Sequence, residues 1–406
     1  MMYRLLLFAF IITKFCIAQP AYILIERGSE HFAKKAYADA LIEFDKAITA
    51  EPKNAKALCF RARCKQALNR KDEALKDYNE AVKNAGKEFS PYFFRAIYFE
   101  QNNKADDAIS DYTSAINLNA NNTDCFVNRG FLYFNKKQNA DANKDFDTAI
   151  KLGTKNAKVF ATKAKIESEN NALVSAIGSY TKAIALDANT AQYYFERGEI
   201  YFNQKKYKEA IVDFNNAANK NLKEQKLFNY RAQAYINQGK YDEALTDLNT
   251  LIVTYKSKDA QVFFNSGYAK FLKNDWGNAA KDYGKAISYK PGYIEAIVER
   301  GKCYLLMGKT KYQLAQTDFM QALKLQPTCE EAAYGMGKVF FETSKFEQAA
   351  EYLSKSIKMR PDATTYYLRS KCYYKLKKNK ECCNDLEKAA EMGNGEAKKD
   401  IALVCK

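Results

Sequence analysis

Arg197 and Asp213 stand sixteen residues apart in the phrase FERGEIYFNQKKYKEAIVDF, and a guanidinium and a carboxylate at that spacing could do two kinds of chemistry. They could pair with each other, or the arginine could hold an anionic ligand from outside. The couple recurs as Arg61 and Asp77, Arg95 and Asp111, Arg129 and Asp145, and Arg231 and Asp247. A planar guanidinium meets a carboxylate through two parallel hydrogen bonds, and each of these arginines has an acid at hand. The expected role is therefore structural: a partly buried salt bridge rather than a ladder for phosphate or carboxylate ligands. Other chemistry is scarce. His31 is the lone histidine, and the chain holds no Gly-rich phosphate loop, nucleophile elbow, CxxC motif or Cys/His metal spacing. The sequence thus predicts no enzyme, no metal and no cofactor.

The elements that carry these pairs repeat. A period of 34 residues gives eleven copies, starting at 21, 55, 89, 123, 157, 191, 225, 260, 294, 330 and 363. The seventh copy has one extra residue, the ninth has two and the tenth lacks one; all three slips are expected in turns, where length costs little. The eighth position is always small, as at Gly28, Ala62 and Gly198, and the twentieth is Ala or Cys. The twenty-fourth is large and apolar, as at Phe44, Tyr78 and Phe214. Apolar spacing of three and four, broken by turns such as NQGK at 237–240, predicts two amphipathic helices per copy. Small residues on both lets their axes approach closely.

The arginine holds the seventh position and the acid the twenty-third. Arg27 and Glu43, Arg300 and Asp318, and Arg369 and Asp385 extend the series. Copy ten loses both charges together, to Met336 and Tyr352, and copy five reads Lys163 and Ser179. Joint loss is what a contact within one copy would produce. Copy eight sets Ser266 opposite Asp282, for which the sequence offers no reason.

This pattern resembles the tetratricopeptide repeat family over residues 21–396. The resemblance implies an all-α, right-handed α-solenoid of tandem helical hairpins whose first helices line a concave groove for peptide or protein segments. It also places positions two, five, nine, twelve and thirteen on that groove. Here they include Phe93, Phe131, Phe134, Phe195, Phe202, Gln233, Phe264, Tyr268, Phe271, Tyr334, Phe341, Tyr367 and Tyr374. Rings interleaved with amides and lysines could grip an extended segment, while positions five and twelve could equally pack against the next repeat. No repeated set of Lys and Asn matches the clamp by which some members of the family hold a C-terminal carboxylate, so that mode is not expected.

Residues 1–18 read as an export signal: Arg4, an apolar run from Leu5 to Ile12, and Ala18 where a peptidase could cut. The run is far below the roughly 20 residues a membrane span needs, so no transmembrane segment is expected in the mature chain. Periplasm or cell envelope is the expected setting, with a cytoplasmic one if the signal is not functional. Residues 397–406 are expected to form a capping helix with Ala397, Ile401 and Val404 inward. Cys383 and Cys405 lie at similar distances on either side of the turn at 393–395, which could bring them together as a disulfide, with Cys382 the rival partner.

With 64 Lys and Arg against 48 Asp and Glu, the chain carries +16, which suits anionic partners or a lysine-rich solvated surface. The leading expectation is a non-catalytic scaffold or adaptor in a bacterial envelope, binding a protein or peptide of unknown identity. An adaptor for anionic or sugar polymers is the alternative. A cytoplasmic RNA binder built of similar hairpins ranks last, because the strict period and the export signal oppose it.

Overall fold

Small side chains at the crossing of two helices set the architecture of every hairpin. The structure is a computed structural model that describes residues 19–405; residues 1–18, with the expected export signal, lie outside the described residues. The described residues form helices and turns without a strand. They divide into two units, one ending at Leu186 and one starting at Asp187.

In the first unit five hairpins stack in chain order: α1 (Ala21–Ala33) with α2 (Tyr37–Ala50), α3 (Ala55–Ala67) with α4 (Lys71–Lys83), α5 (Ser90–Gln101) with α6 (Ala105–Leu118), α7 (Thr123–Asn135) with α8 (Asn139–Lys151), and α9 (Ala157–Glu169) with α10 (Leu173–Leu186). The second unit holds six: α11 (Ala191–Asn203) with α12 (Tyr207–Asn219), α13 (Gln225–Asn237) with α14 (Tyr241–Asn249), α15 (Ala260–Leu272) with α16 (Trp276–Tyr289), α17 (Ile294–Leu306) with α18 (Tyr312–Leu325), α19 (Glu330–Glu342) with α20 (Phe346–Met359), and α21 (Ala363–Lys375) with α22 (Asn379–Glu391). A last helix, α23 (Gly395–Val404), packs on α22. Each unit is an α-solenoid, every helix burying one face against its own partner and the next hairpin.

The crossings are tight. Ala40, Ala74, Ala108, Ala210 and Ala279 on the second helices are fully buried, as are Phe44, Phe146 and Phe214 one turn further along such helices. Partner choice at the eighth and twenty-fourth positions is linked. Phenylalanine faces glycine in Gly28/Phe44, Gly130/Phe146, Gly198/Phe214 and Gly301/Phe319, where an added Cβ would meet the ring at 2.6–2.8 Å. Alanine instead accompanies Tyr78 and Tyr112, whose hydroxyls donate to Gln66 Oε1 (2.8 Å) and Glu100 Oε2 (2.9 Å) twelve residues earlier. Tyr283 has no such acceptor, because Phe271 fills that position; its hydroxyl is buried without a partner, and its ring lies 2.9 Å from where a Gly267 Cβ would stand.

Boundaries follow local chemistry. Asn54, Asn122, Asn156 and Asp259 cap first helices by accepting backbone N–H groups of the opening turn. The third copy's helix opens at Ser90, one residue after the copy start, with Pro91 in the first turn where a missing N–H costs nothing. The capping helix opens at Gly395, earlier than 397, because Asn394 accepts the Ala397 N–H at 2.9 Å.

One expectation about insertions is corrected. The extra residue of the seventh copy does not sit in a turn: α14 runs into a π-helical turn at Thr250–Thr254, whose wider winding takes up one residue inside the helix. The ninth copy's insertion does fall between helices, at Gly308 and a 3-10 turn over Lys309–Lys311.

Candidate functional site

The arginines act as fixed joints. Arg61 donates from Nε to Asp77 Oδ2 at 2.8 Å and from Nη2 to Oδ1 at 2.7 Å. The same two bonds join Arg95 to Asp111, Arg129 to Asp145, Arg197 to Asp213, Arg231 to Asp247, Arg300 to Asp318 and Arg369 to Asp385, all between 2.7 and 2.9 Å. The seven aspartates are buried, so each carboxylate relies on its guanidinium. Hydrogen bonding to Asp213 outweighs burial and holds the Arg197 guanidinium above its ordinary pKa.

A second role was hidden in the sequence. The remaining Nη1 reaches back sixteen residues to the second helix of the preceding hairpin: Arg61 to Asp45 (2.9 Å), Arg95 to Asn79 (2.9 Å), Arg129 to Thr113 (2.8 Å) and Arg231 to Asn215 (3.0 Å). One side chain thus ties three helices. The available signal was a polar residue at the twenty-fifth position of the preceding copy; where the arginine becomes Met336, that residue is Met320.

The first copy departs from the expected pairing. Arg27 bonds to Gln19 Oε1 (2.9 Å) and Glu43 to Lys46 (2.6 Å), since no preceding hairpin buries α1 among the described residues and Arg27 stays in water. Copy eight finds its missing charge one turn later: Ser266 Oγ donates to Asp282 Oδ2 at 2.6 Å and Lys270 Nζ reaches the same oxygen. In copy five Lys163 turns to Asp147 (2.7 Å) and Glu167 (3.3 Å), and Ser179 donates to Glu167 (2.7 Å).

The ring-bearing positions of the first helices divide by depth. Phe195 is a correction: only 2% exposed, it packs between Phe214 and Tyr230 at 5.9 and 6.2 Å, as core, because a fifth-position ring points at the next hairpin. Phe264 is wedged among Tyr268, Tyr283 and Tyr293, and Phe202 stands against Tyr207 and Tyr230. Phe93, Phe131, Phe134, Phe271, Tyr334 and Phe341 are half-buried against neighbouring hairpins. Tyr367 gives its hydroxyl to Asp400 on α23 at 3.0 Å. Gln233 bonds to Asn229 (3.1 Å). Tyr268 and Tyr374, at 38% and 54%, are the candidate rings that reach solvent most fully, with Asn135, Lys165, Asn203, Asn237 and Lys371 exposed on the same positions.

Clefts open on these helices in both units. In the first unit a cavity of about 340 Å³ lies against α3 and α5, lined by Phe32, Arg63, Gln66 and Phe94. In the second unit one of about 420 Å³ lies between α19, α21 and α23, lined by Phe341, Lys371, Tyr374 and Leu403. The α23 wall is held by a Cys383–Cys405 disulfide, while Cys382 stays a buried thiol. Burial pushes the Cys59, Cys64, Cys125, Cys303 and Cys372 thiols up to about 12. Among the described residues no group of three or more His, Cys, Asp or Glu side chains could hold a metal ion, and no helix is long and apolar enough to cross a membrane.

Stacked hairpins with a guanidinium joint and a face of mixed rings and amides define a helical-repeat scaffold. A family model for the tetratricopeptide repeat matches residues 162–222, 231–292, 304–364 and 334–393, and a second tetratricopeptide repeat model matches 55–87. With more than half of its length matched, the chain belongs to the tetratricopeptide repeat family. No curated protein matches it in sequence. Solved structures similar to it include yeast Tom70, at 15% identity and TM-score 0.39 over 88% of this chain and 96% of that one. A tetratricopeptide repeat protein from Parabacteroides merdae shares 20% identity at TM-score 0.47 over 62% and 100% of the two chains. The C-terminal part of a TPR repeat-containing protein from Cytophaga hutchinsonii shares 21% at TM-score 0.47 over 60% and 99%. These likenesses are of fold alone.

Proposed function

We propose that the chain is a non-catalytic scaffold of the bacterial cell envelope that holds extended protein or peptide segments along its first helices. The observation that carries this reading is exposure at positions nine, twelve and thirteen: Asn135 and Lys165 in the first unit, and Tyr268 and Tyr374 with Asn203, Asn237 and Lys371 in the second, uncovered by other described segments. Rings give a segment contact area at low entropy cost, and amides and ammonium groups meet its backbone carbonyls. The exported setting draws support from the Arg4-to-Ala18 segment and from the Cys383–Cys405 disulfide, which suits an oxidising compartment.

The test is site-specific photo-crosslinking in envelope extract. A photoreactive residue at Tyr268 or Tyr374 should give discrete protein adducts, and one at Val174 or Val212, exposed on second helices, should give none. Adducts from the second-helix sites alone would refute the reading. Adducts to glycan or another anionic polymer that vanish steeply with salt would favour the polymer-adaptor alternative suggested by the +16 charge.

A further inference from the structure

Arg63 differs from the arginines of the joint series. Arg61, two residues earlier, has both Asp77 and Asp45, and Arg70 has Glu73. Arg63 makes no hydrogen bond or ion pair among the described residues. Its guanidinium carbon instead lies over phenyl rings, with Phe32 and Phe94 centroids each at 4.5 Å and Phe60 at 5.3 Å. These rings come from three consecutive copies, so three hairpins hold one cation in place. Aromatic rings attract the cation without offering the oxygen acceptors that its N–H donors take in an ion pair, so these donors meet no carboxylate or carbonyl among the described residues.

We infer that Arg63 is a recognition point for the side-chain carboxylate of an Asp or Glu within an extended segment bound on the first-helix face; this rests on the proposed function and names the chemistry of one subsite. Charge complementarity carries the choice. A guanidinium with five donors and no acceptor, half-buried in a cleft of about 340 Å³, is matched by a carboxylate bonding through two parallel hydrogen bonds. Arg63 is the one cation lining that cleft, and its other walls are apolar or amide. One positive charge balances a monoanionic carboxylate and leaves a phosphate dianion under-neutralised. Beside it, Gln66 accepts from the Tyr78 hydroxyl and donates to Gln101 Oε1, which fixes both amides. The Gln101 amide nitrogen then remains to donate to the carbonyl of a bound backbone. Apolar flanks for the acid are provided by Phe32, Phe94 and Ile97.

The experiment selects binders from a display library of random peptides, presented internally so that no chain terminus is offered, on the full chain. It then measures the enriched peptides, synthesised with blocked ends, against wild type, Arg63→Gln and Arg63→Lys by fluorescence anisotropy. Enriched peptides should carry an Asp or Glu flanked by apolar residues and lose affinity about tenfold or more on Arg63→Gln, the range for a hydrogen bond to a charged group. Arg63→Lys should recover only part of that affinity, because it keeps the charge without the fork. Changing the peptide's Glu to Gln should cost wild type about as much and cost the Arg63→Gln protein little. Circular dichroism melting checks that both variants fold. If Arg63→Gln unfolds the chain, Gln101→Ala and the peptide Glu→Gln exchange still decide the case: the first should weaken binding and the second abolish most of it. Peptides that bind without an acid, or equally well to Arg63→Gln, would overturn this subsite and leave the groove reading intact. No enrichment at all would sink both.

Discussion

Replacing Gly198 with alanine puts a methyl group where the hairpin has no room. Its Cβ would stand 2.7 Å from Phe214 Cε1, 2.9 Å from Cδ1 and 3.3 Å from Asp213 Cβ, against roughly 3.5–4.0 Å for resting carbon pairs. Phe214 cannot yield easily. It is fully buried and packed by Phe195 and Tyr230 at 5.9 and 6.1 Å. Overpacking of this kind costs about 1–3 kcal/mol, and the better helix propensity of alanine offsets up to about 1 kcal/mol of it. Gly198→Ala should therefore destabilise by about 0–3 kcal/mol. The sharper expectation is the coupling to Phe214. Ala232 and Leu248 coexist in the next hairpin, both fully buried, so in a Phe214→Leu background the same methyl should become neutral or stabilising. A double-mutant cycle should then give at least about 1 kcal/mol of coupling. Urea unfolding of the full chain gives the energies, and hydrogen exchange of α11 and α12 amides locates the loss, since solenoids can unfold piecewise. A stabilising Gly198→Ala in wild type, or an unchanged cost beside Phe214→Leu, would refute the packing argument.

Other perturbations follow from the same geometry. Arg129→Ala leaves buried Asp145 without its guanidinium and should cost about 3–5 kcal/mol; the swap Arg129→Asp with Asp145→Arg should restore part of it and Arg129→Lys little, by urea midpoints. Cutting the Cys383–Cys405 link, which spans 22 residues, should cost about 3 kcal/mol by chain entropy, read as loss of amide protection in α23 on reduction; unchanged protection would mean that Tyr367 and packing suffice. Burial raises the Glu199 carboxyl above its usual range, so its contribution to stability is fully present below the unfolded pKa and lost as pH rises through the folded value. Glu199→Gln should accordingly melt higher than wild type at neutral pH, with the gap closing on acidification; a gap independent of pH would contradict this.

The hairpins were legible because their signal is redundant: a small residue at Gly198, Ala210 opposite, and Phe214 one turn on each point to the same crossing. Depth was less so. A fifth-position ring such as Phe195 has the same spacing whether it lines a groove or packs on the next hairpin, and only the neighbour's position decides. Ser266 hid its substitute because Lys270 comes from a different lattice position, and a long ammonium reaches where a serine cannot. The added residue of the seventh copy could not be placed inside a helix from composition, since Thr250–Thr254 has nothing that forbids an α-helix.

The backward reach of the arginines divides the hairpin seams into two kinds. Those held by Arg61, Arg95, Arg129, Arg231 and Arg369, the last reaching Ser354 Oγ at 2.7 Å, are stitched by a polar bond as well as by packing. At Ser266, Arg300 and Met336 the earlier residues are Asn249, Gly284 and Met320, and no such stitch crosses among the described residues. Other contacts close those seams: Lys273 pairs with Asp242, the Tyr293 hydroxyl donates to Gln261 Oε1 at 2.6 Å, and an apolar cluster packs around Met336, Phe319 and Phe340. Salt should thus weaken the Arg61–Asp45 stitch, the ion pair of the series, more than the apolar packing around Met336, so that the seams of one chain differ in their response to the same solvent.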